Sequence, residues 1–249
     1  MALGLPDGIT ACLFDLDGVL TRTATVHAAA WKQMFDEFLQ DYTERTGAPQ
    51  PPFDAHSDYD RYVDGKPRLD GTRDFLASRR IDLPEGSESD PAGSATVYGL
   101  SNRKNELVLT KIREDGVEVY ADTVDYLHQV RAAGLRTAVV SSSANTTDVL
   151  ECTKLADLFD AVVDGVVARE RHLAGKPAPD TFREGAREVG ADFKSCAVFE
   201  DALAGVEAGR AGGFGFVVGV DRVGQADALR EHGADVVVQD VCELLRRES

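Results

Sequence analysis

Ala11-Cys12-Leu13-Phe14-Asp15-Leu16-Asp17-Gly18-Val19 is the stretch that decides the fold. Four apolar residues lead directly into two carboxylates two positions apart, the pattern of a buried strand that ends in a reactive loop. Gly18 lets the backbone turn away, so Asp15 and Asp17 can both face a crevice beyond the carboxyl edge of a sheet, where open α/β sheets bind ligands. Two carboxylates there suggest a metal and a nucleophile. A strand ending in a plain Asp-Gly turn is the alternative, and only the rest of the chain separates the two.

Outward from that stretch, apolar and β-branched runs recur at Leu135 to Val140, Ala161 to Val163, Cys196 to Phe199, Phe214 to Val220 and Asp235 to Val238. Helical patterns lie between them, including Thr123 to Ala133 and Pro179 to Val189. Alternating strand and helix predicts an α/β fold: a doubly wound parallel sheet with right-handed crossovers. Residues 1–24 and 119–249 are expected to form this core. Residues 25–118 break the rhythm, with helical patterns at Val26 to Phe38, Gly71 to Arg80 and Tyr98 to Ile112 and no convincing strand, so an inserted all-helical cap is expected. The turn-rich connector Pro84 to Gly93 reads as a mobile surface loop inside it. Ala211-Gly212-Gly213-Phe214-Gly215 lacks dinucleotide-binding spacing and reads as a helix stop.

Three later segments bring polar groups to predicted strand ends. Ser141-Ser142-Ser143-Ala144-Asn145 follows Val140 and opens a helix, offering hydroxyls and N–H groups to an anion. Lys176 sits in Gly175-Lys176-Pro177-Ala178-Pro179-Asp180, a turn that braces its ammonium. Glu200-Asp201 ends the Cys196 to Phe199 strand, giving oxygen ligands for Mg²⁺ with Asp15 and a backbone carbonyl. Each has an ordinary reading as a cap or a solvated charge. Their combination and order argue against coincidence.

These residues resemble the four ordered motifs of the haloacid dehalogenase superfamily, matching Asp15/Asp17, Ser141, Lys176 and Glu200/Asp201. The resemblance implies a Rossmann-like core and an aspartyl-phosphate mechanism in which Asp15 attacks phosphorus and Asp17 moves a proton. It implies Asp15, Asp17, Ser141 and Lys176 as catalytic residues, Mg²⁺ as cofactor, and Asp15, Asp17, Glu200 and Asp201 as its site. Thr21 to Lys32 looks like the hinge and first cap helix of the β-phosphoglucomutase-like subfamily, with His27 and Trp31 on one helix face. Asp64 to Gly71 resembles that subfamily's substrate loop, implying substrate contacts from Gly65, Lys66 and, at a non-transferring phosphate, Arg68. Arg103-Lys104-Asn105 resembles another subfamily signature and implies Lys104 as a contact. Ser142, Ser143 and Asn145 complete the expected binding set.

The activity implied is interconversion of β-glucose 1-phosphate and glucose 6-phosphate through a bisphosphate, with a sugar-phosphate phosphatase as the alternative. A catalytically silent binding protein is the rival of another class, and the full set of Asp15, Asp17, Lys176, Glu200 and Asp201 argues against it. Two departures bear on the sugar. Ala144 stands where the subfamily commonly has a lysine, a loss Lys66 is placed to offset, and Arg22 stands where an acidic residue is expected.

Composition sets the outer limits. With 43 acidic and 27 basic residues in 249, the formal net charge is −16, which argues against nucleic acid or an anionic membrane as partner. The expected partner is a small phosphorylated sugar, met by a monomer. Cys12, Cys152, Cys196 and Cys242 form no C-x-x-C pair and read as reduced, mostly buried residues. No apolar stretch approaches the ~20 residues of a membrane span, and the first residues do not read as a signal peptide. The expected location is therefore cytoplasmic.

Overall fold

The computed structural model describes residues 3–246. The apolar runs become six strands: β1 (Ala11–Phe14), β2 (Arg136–Val140), β3 (Ala161–Val163), β4 (Cys196–Glu200), β5 (Phe216–Val220) and β6 (Val236–Val238). They form one parallel sheet in the order β3-β2-β1-β4-β5-β6. Their burial on both faces explains why the strands read as continuous apolar runs instead of alternating ones. Three starts fall one or two residues later than the runs suggest. Leu135, for example, donates its N–H to the Val130 carbonyl and so finishes a helix before β2 begins.

The helices in chain order are α1 (Ala24–Thr46), α2 (Arg68–Ser78), α3 (Val97–Asp115), α4 (Ala121–Ala132), α5 (Thr146–Thr153), α6 (Gly165–Glu170), α7 (Asp180–Glu188), α8 (Leu203–Gly212) and α9 (Ala226–Glu231). Among these, α7 packs on β1, β2 and β3, while α8 covers β4 and β5. On that face Ala11, Leu13, Val140 and Val198 join Phe182 and Ala186 of α7 in one core cluster. The opposite face carries Phe14, stacked on Phe199 at 4.4 Å between ring centroids, with Tyr126 of α4 5.5 Å from Phe199. Helices on both faces make the sheet doubly wound. Chain order reverses between β1 and β4, so the ligand-binding switch point of such sheets lies at the carboxyl ends of these two strands.

The described chain divides into two compact units, and Thr23–Gly116 is the second of them. It is helical, with Trp31, Phe35, Phe53, Phe75 and Leu100 at the centre of its own core. Its helices run longer than their sequence patterns suggest. Beyond Phe38, α1 keeps Leu39 buried and stops only at Gly47, whose N–H caps the Thr43 carbonyl. Residue 68 begins α2 directly after Pro67, so Arg68 belongs to a helix and the expected substrate loop ends at Pro67 instead of Gly71. Gly71 itself lies against a π-helical turn, Tyr59–Val63, where an added Cβ would come within 3.2 Å of Val63.

Pro84 to Gly93 is largely exposed, as expected, but it is tied down: Thr96 Oγ1 donates to Asp90 at 2.6 Å and Asn102 Nδ2 donates to the Glu88 and Asp90 carbonyls. The segment 211–215 is a helix stop, with Gly213 in the left-handed conformation after α8. All four cysteines are free; Cys12 and Cys196 are buried, whereas Cys152 is exposed. Among the described residues no helix is long and apolar enough to cross a membrane.

Candidate active site

The end of β1 delivers Asp15 to the switch point, where its N–H continues the ladder to the Phe199 carbonyl at 3.0 Å. The neighbouring end of β4 delivers Glu200. Between them lies Lys176, from the turn before α7, 2% exposed and bonded by its ammonium to Asp15 Oδ1 at 2.5 Å, Glu200 Oε1 at 2.6 Å and the Val140 carbonyl at 3.1 Å. The brace expected around this lysine is present as an Ala178 N–H bond to the Gly175 carbonyl. The ring of Phe182 lies 4.8 Å below the ammonium. An ammonium this deep survives only with such partners.

Their titration reflects the same arrangement. Burial pulls the Lys176 ammonium down, but Asp15 and Glu200 outweigh it and hold the group above the usual lysine range, so it stays charged. Burial pushes the Asp15 carboxyl well up; Lys176 opposes this, while the charges of Glu200 and Asp17 add to it. Two carboxylates on one cation account for the raised lysine, and burial that this one cation offsets only in part accounts for the raised Asp15.

Asp15, Glu200 and Asp201 each offer an oxygen to one group spanning no more than 4.8 Å. Three hard oxygen donors this close together suit a small divalent cation such as Mg²⁺. Glu200 already uses Oε1 on Lys176 and Oε2 on the Ala202 N–H, so it anchors the lysine first and is the less available of the three. Asp17 was expected in the metal set as well. Its carboxylate lies outside this group, which gives its side chain no support as a ligand.

Two glycines make this crowding possible. A Cβ on Gly18, at φ +90°, would lie 1.8 Å from Asp201 Oδ2, and one on Gly205 would lie 1.8 Å from Glu200 Oε1. Gly18 is legible in the sequence as a turn residue. Gly205 is not, because a glycine inside a helix looks like a minor defect. Gly205→Ala should therefore push Glu200 off Lys176 and destabilise the protein by about 1–3 kcal/mol, measurable as a lowered thermal midpoint. An unchanged midpoint would show that Glu200 has room to move.

The serine segment forms the adjoining wall. Ser141 is 1% exposed, and its Oγ accepts the Ser143 N–H at 3.1 Å, leaving the hydroxyl proton able to serve another acceptor. Ser143 Oγ accepts the Asn145 N–H and its carbonyl accepts the Gly165 N–H, so Ser143 shapes the loop itself. Ser142 is half-buried and Asn145 is buried just before α5.

The helical unit holds the remaining expected residues. Lys104 is 5% exposed; its Nζ lies 2.9 Å from His27 Nδ1 and 4.9 Å from the centroid of the Trp31 ring. Trp31 is stacked on Phe35 and 2% exposed, so its indole is a packing group and a platform for Lys104. Lys66 is ion-paired to Asp74 at 2.7 Å, and Gly65 and Arg68 are half-buried. Arg22 stacks on Tyr120, 4.5 Å from the ring centroid, with Glu118 at 3.6 Å, so part of its charge is met locally.

The segment 221–225 went unread in the sequence although it borders the site. Asp221 Oδ1 accepts the N–H groups of Val223, Gly224 and Gln225, Arg222 Nε donates to the Gly18 carbonyl, and Gln225 Nε2 donates to the Asp201 carbonyl. Its polar residues resemble any exposed loop.

Comparison with known proteins agrees with this geometry. The family described as haloacid dehalogenase-like hydrolase matches residues 9–213. The chain is 56% identical over 246 residues to a β-phosphoglucomutase of Mycobacterium bovis, spanning 98% of this chain and 94% of that protein. It is 30% identical over 237 residues to a β-phosphoglucomutase of Bacillus subtilis, spanning 94% and 91%. A crystal structure of β-phosphoglucomutase from Clostridium difficile shares the fold with a TM-score of 0.73 at 23% identity, over 95% of this chain and 93% of that one. A doubly wound sheet with Asp15, Lys176 and Glu200 at its switch point, matched across most of its length, places the chain in the haloacid dehalogenase-like hydrolase family.

Proposed function

We propose that the protein is a Mg²⁺-dependent β-phosphoglucomutase that works through an aspartyl-phosphate on Asp15. The observation that carries the reading is the 56% identity to a β-phosphoglucomutase over nearly the whole of both chains. The buried Asp15–Lys176–Glu200 cluster supports the chemistry.

An Asp15 carboxylate oxygen forms a bond to phosphorus as the bond from phosphorus to the sugar oxygen breaks, and Asp17 gives that oxygen a proton. In the second half, Asp17 takes the proton of the incoming sugar hydroxyl, which attacks phosphorus and releases Asp15. Lys176, fixed beside Asp15, and the Ser141 hydroxyl offer donors to the phosphoryl oxygens as charge moves onto them. Asp15 and Asp201 would hold the cation, with Glu200 contributing as far as its hold on Lys176 allows. When bound, Mg²⁺ supplies the charge that keeps Asp15 ionised and offsets that of the phosphoryl group. Asp17 suits the proton role because its carboxylate is outside the ligand group.

Binding of the phosphate that is not transferred falls to Arg68 and Lys104, with His27 at the sugar. Lys66 contributes less, since Asp74 already neutralises it. Ser142, Ser143, Asn145 and Gly65 provide backbone shape and further polar contacts.

Replacing Asp17 by alanine should slow transfer about 10²- to 10⁴-fold while Asp15 still accepts a phosphoryl group from a donor with a good leaving group. Full activity in that variant would remove Asp17 from the mechanism. The reading as a whole is tested with β-glucose 1-phosphate, Mg²⁺ and a trace of the bisphosphate. Glucose 6-phosphate should form much faster than free phosphate; phosphate release without isomerisation would make the protein a sugar-phosphate phosphatase.

A further inference from the structure

The carboxylates of the candidate site sit on two loops that meet at a seam. Residues 15–18 leave β1, Glu200 ends β4 with Asp201 just after it, and the loops press together so closely that Gly18 has no room for a Cβ beside the Asp201 carboxylate. A shift of either backbone would change the spacing of the oxygens, and a small cation is sensitive to that spacing. Something must hold the two backbones in register.

The loop after β5 touches both. Gln225 Nε2 donates to the Asp201 carbonyl at 2.9 Å, and Arg222 Nε donates to the Gly18 carbonyl at 3.3 Å. Asp221, 5% exposed, locks the loop by accepting three N–H groups through one oxygen. Arg222 is itself held from four directions. Its other nitrogens bond the Gln239 carbonyl at 2.7 Å, Asp122 Oδ2 at 3.0 Å and Thr123 Oγ1 at 3.1 Å, and its guanidinium lies 3.8 Å from the Tyr120 ring centroid. Asp122 in turn accepts the Val241 N–H, so this anchor reaches the far end of the sheet. No solvated surface arginine needs so many partners.

We propose that residues 221–225 form a clasp across the seam, in which Gln225 positions Asp201 and Arg222 positions the loop carrying Asp15 and Asp17, so that the clasp sets the affinity of the site for a divalent cation. Neither residue touches the cation or the substrate. Both act through the backbone of residues that do, as outer partners of metal ligands commonly do. The inference rests on the reading of Asp15 and Asp201 as cation ligands, and it does not depend on the identity of the sugar.

The test is a Mn²⁺ titration of the full chain without sugar, followed by calorimetry or by the relaxation of water protons. Gln225→Leu should weaken Mn²⁺ binding about tenfold, the low end of the effect of removing an outer partner. The thermal midpoint without metal should fall by no more than about 4 °C, the effect of roughly 1 kcal/mol in a chain of this size. Arg222→Lys keeps the charge but lacks the planar fork, and it should weaken Mn²⁺ binding in the same direction. If Gln225→Leu does not fold, Gln225→Asn keeps the amide, shortens its reach and should show the same loss. Parent-like Mn²⁺ affinity in folded Gln225 and Arg222 variants would overturn the clasp, and so would a parent protein that binds no Mn²⁺. A parent that binds Mn²⁺ but does not isomerise sugar phosphates would overturn the mutase reading and leave the clasp standing.

Discussion

Asp15→Asn should abolish both isomerisation and phosphate release, lowering kcat by roughly 10⁵-fold or more, the scale on which loss of a nucleophile is felt. The amide cannot form the acyl phosphate, and the other carboxylate on Lys176, Glu200, has both oxygens engaged by Lys176 and the Ala202 N–H. Stability should move the other way or not at all. The folded state pushes the Asp15 carboxyl well up, chiefly through burial, which means that ionised Asp15 costs folding free energy near neutral pH. A neutral amide removes that cost while its oxygen still accepts from Lys176. The check is a pair of measurements on one preparation, turnover and thermal midpoint. Retained turnover would remove Asp15 from the chemistry, and a midpoint far below the parent's would show that the carboxylate is structural.

Lys176→Met should be costly in both respects. It removes the ammonium shared by Asp15 and Glu200 and leaves two carboxylates in a site where the lysine side chain is 1% exposed. Removing one partner of a buried ion pair costs about 3–5 kcal/mol, or on the order of 10 °C in the midpoint of a chain this long. Turnover should also fall, because the transferring phosphoryl group loses a fixed donor.

The sign of the pH dependence follows from the carboxylates. A carboxyl whose folded pKa is raised binds protons more readily folded than unfolded, so stability falls as pH rises from the unfolded value toward the folded one. Without Lys176 nothing opposes that rise at Asp15, and the window extends further up. The gap between parent and variant midpoints should therefore narrow as pH is lowered from about 7.5 to about 5. In the parent, the contribution of the raised Lys176 pKa is full below the unfolded lysine range and is lost only as pH climbs above it. A gap that widens on acidification would contradict this account of the cluster.

Much of this site was readable along the chain because its parts sit at strand ends. Asp15 and Glu200 each follow an unbroken apolar run, Lys176 sits between glycine and proline, and the serines follow Val140, so each is marked locally. What escaped notice depends on neighbours distant in sequence. Gly205 matters only because β4 delivers Glu200 beneath α8, and Arg222 and Gln225 matter only because the end of β5 lies close to the loops leaving β1 and β4. Helical spacing put His27 and Trp31 on one face but could not say which of them is packed; the cluster around Phe35 and Phe75 takes the indole. The start of α2 was missed for a local reason. Pro67 precedes Arg68 and serves as the boundary itself, so the helix starts three residues before Gly71, where the helical pattern is expected to begin.

The central claim is that a phosphoryl group on Asp15 goes to a sugar hydroxyl in preference to water. It is tested most directly by loading the protein with a radiolabelled phosphoryl group, adding glucose 6-phosphate with Mg²⁺, quenching rapidly and counting where the label goes in one turnover. The account predicts label on Asp15 before the chase and in the sugar bisphosphate after it, with little free phosphate. Label released as phosphate at the same rate with and without the sugar would contradict it.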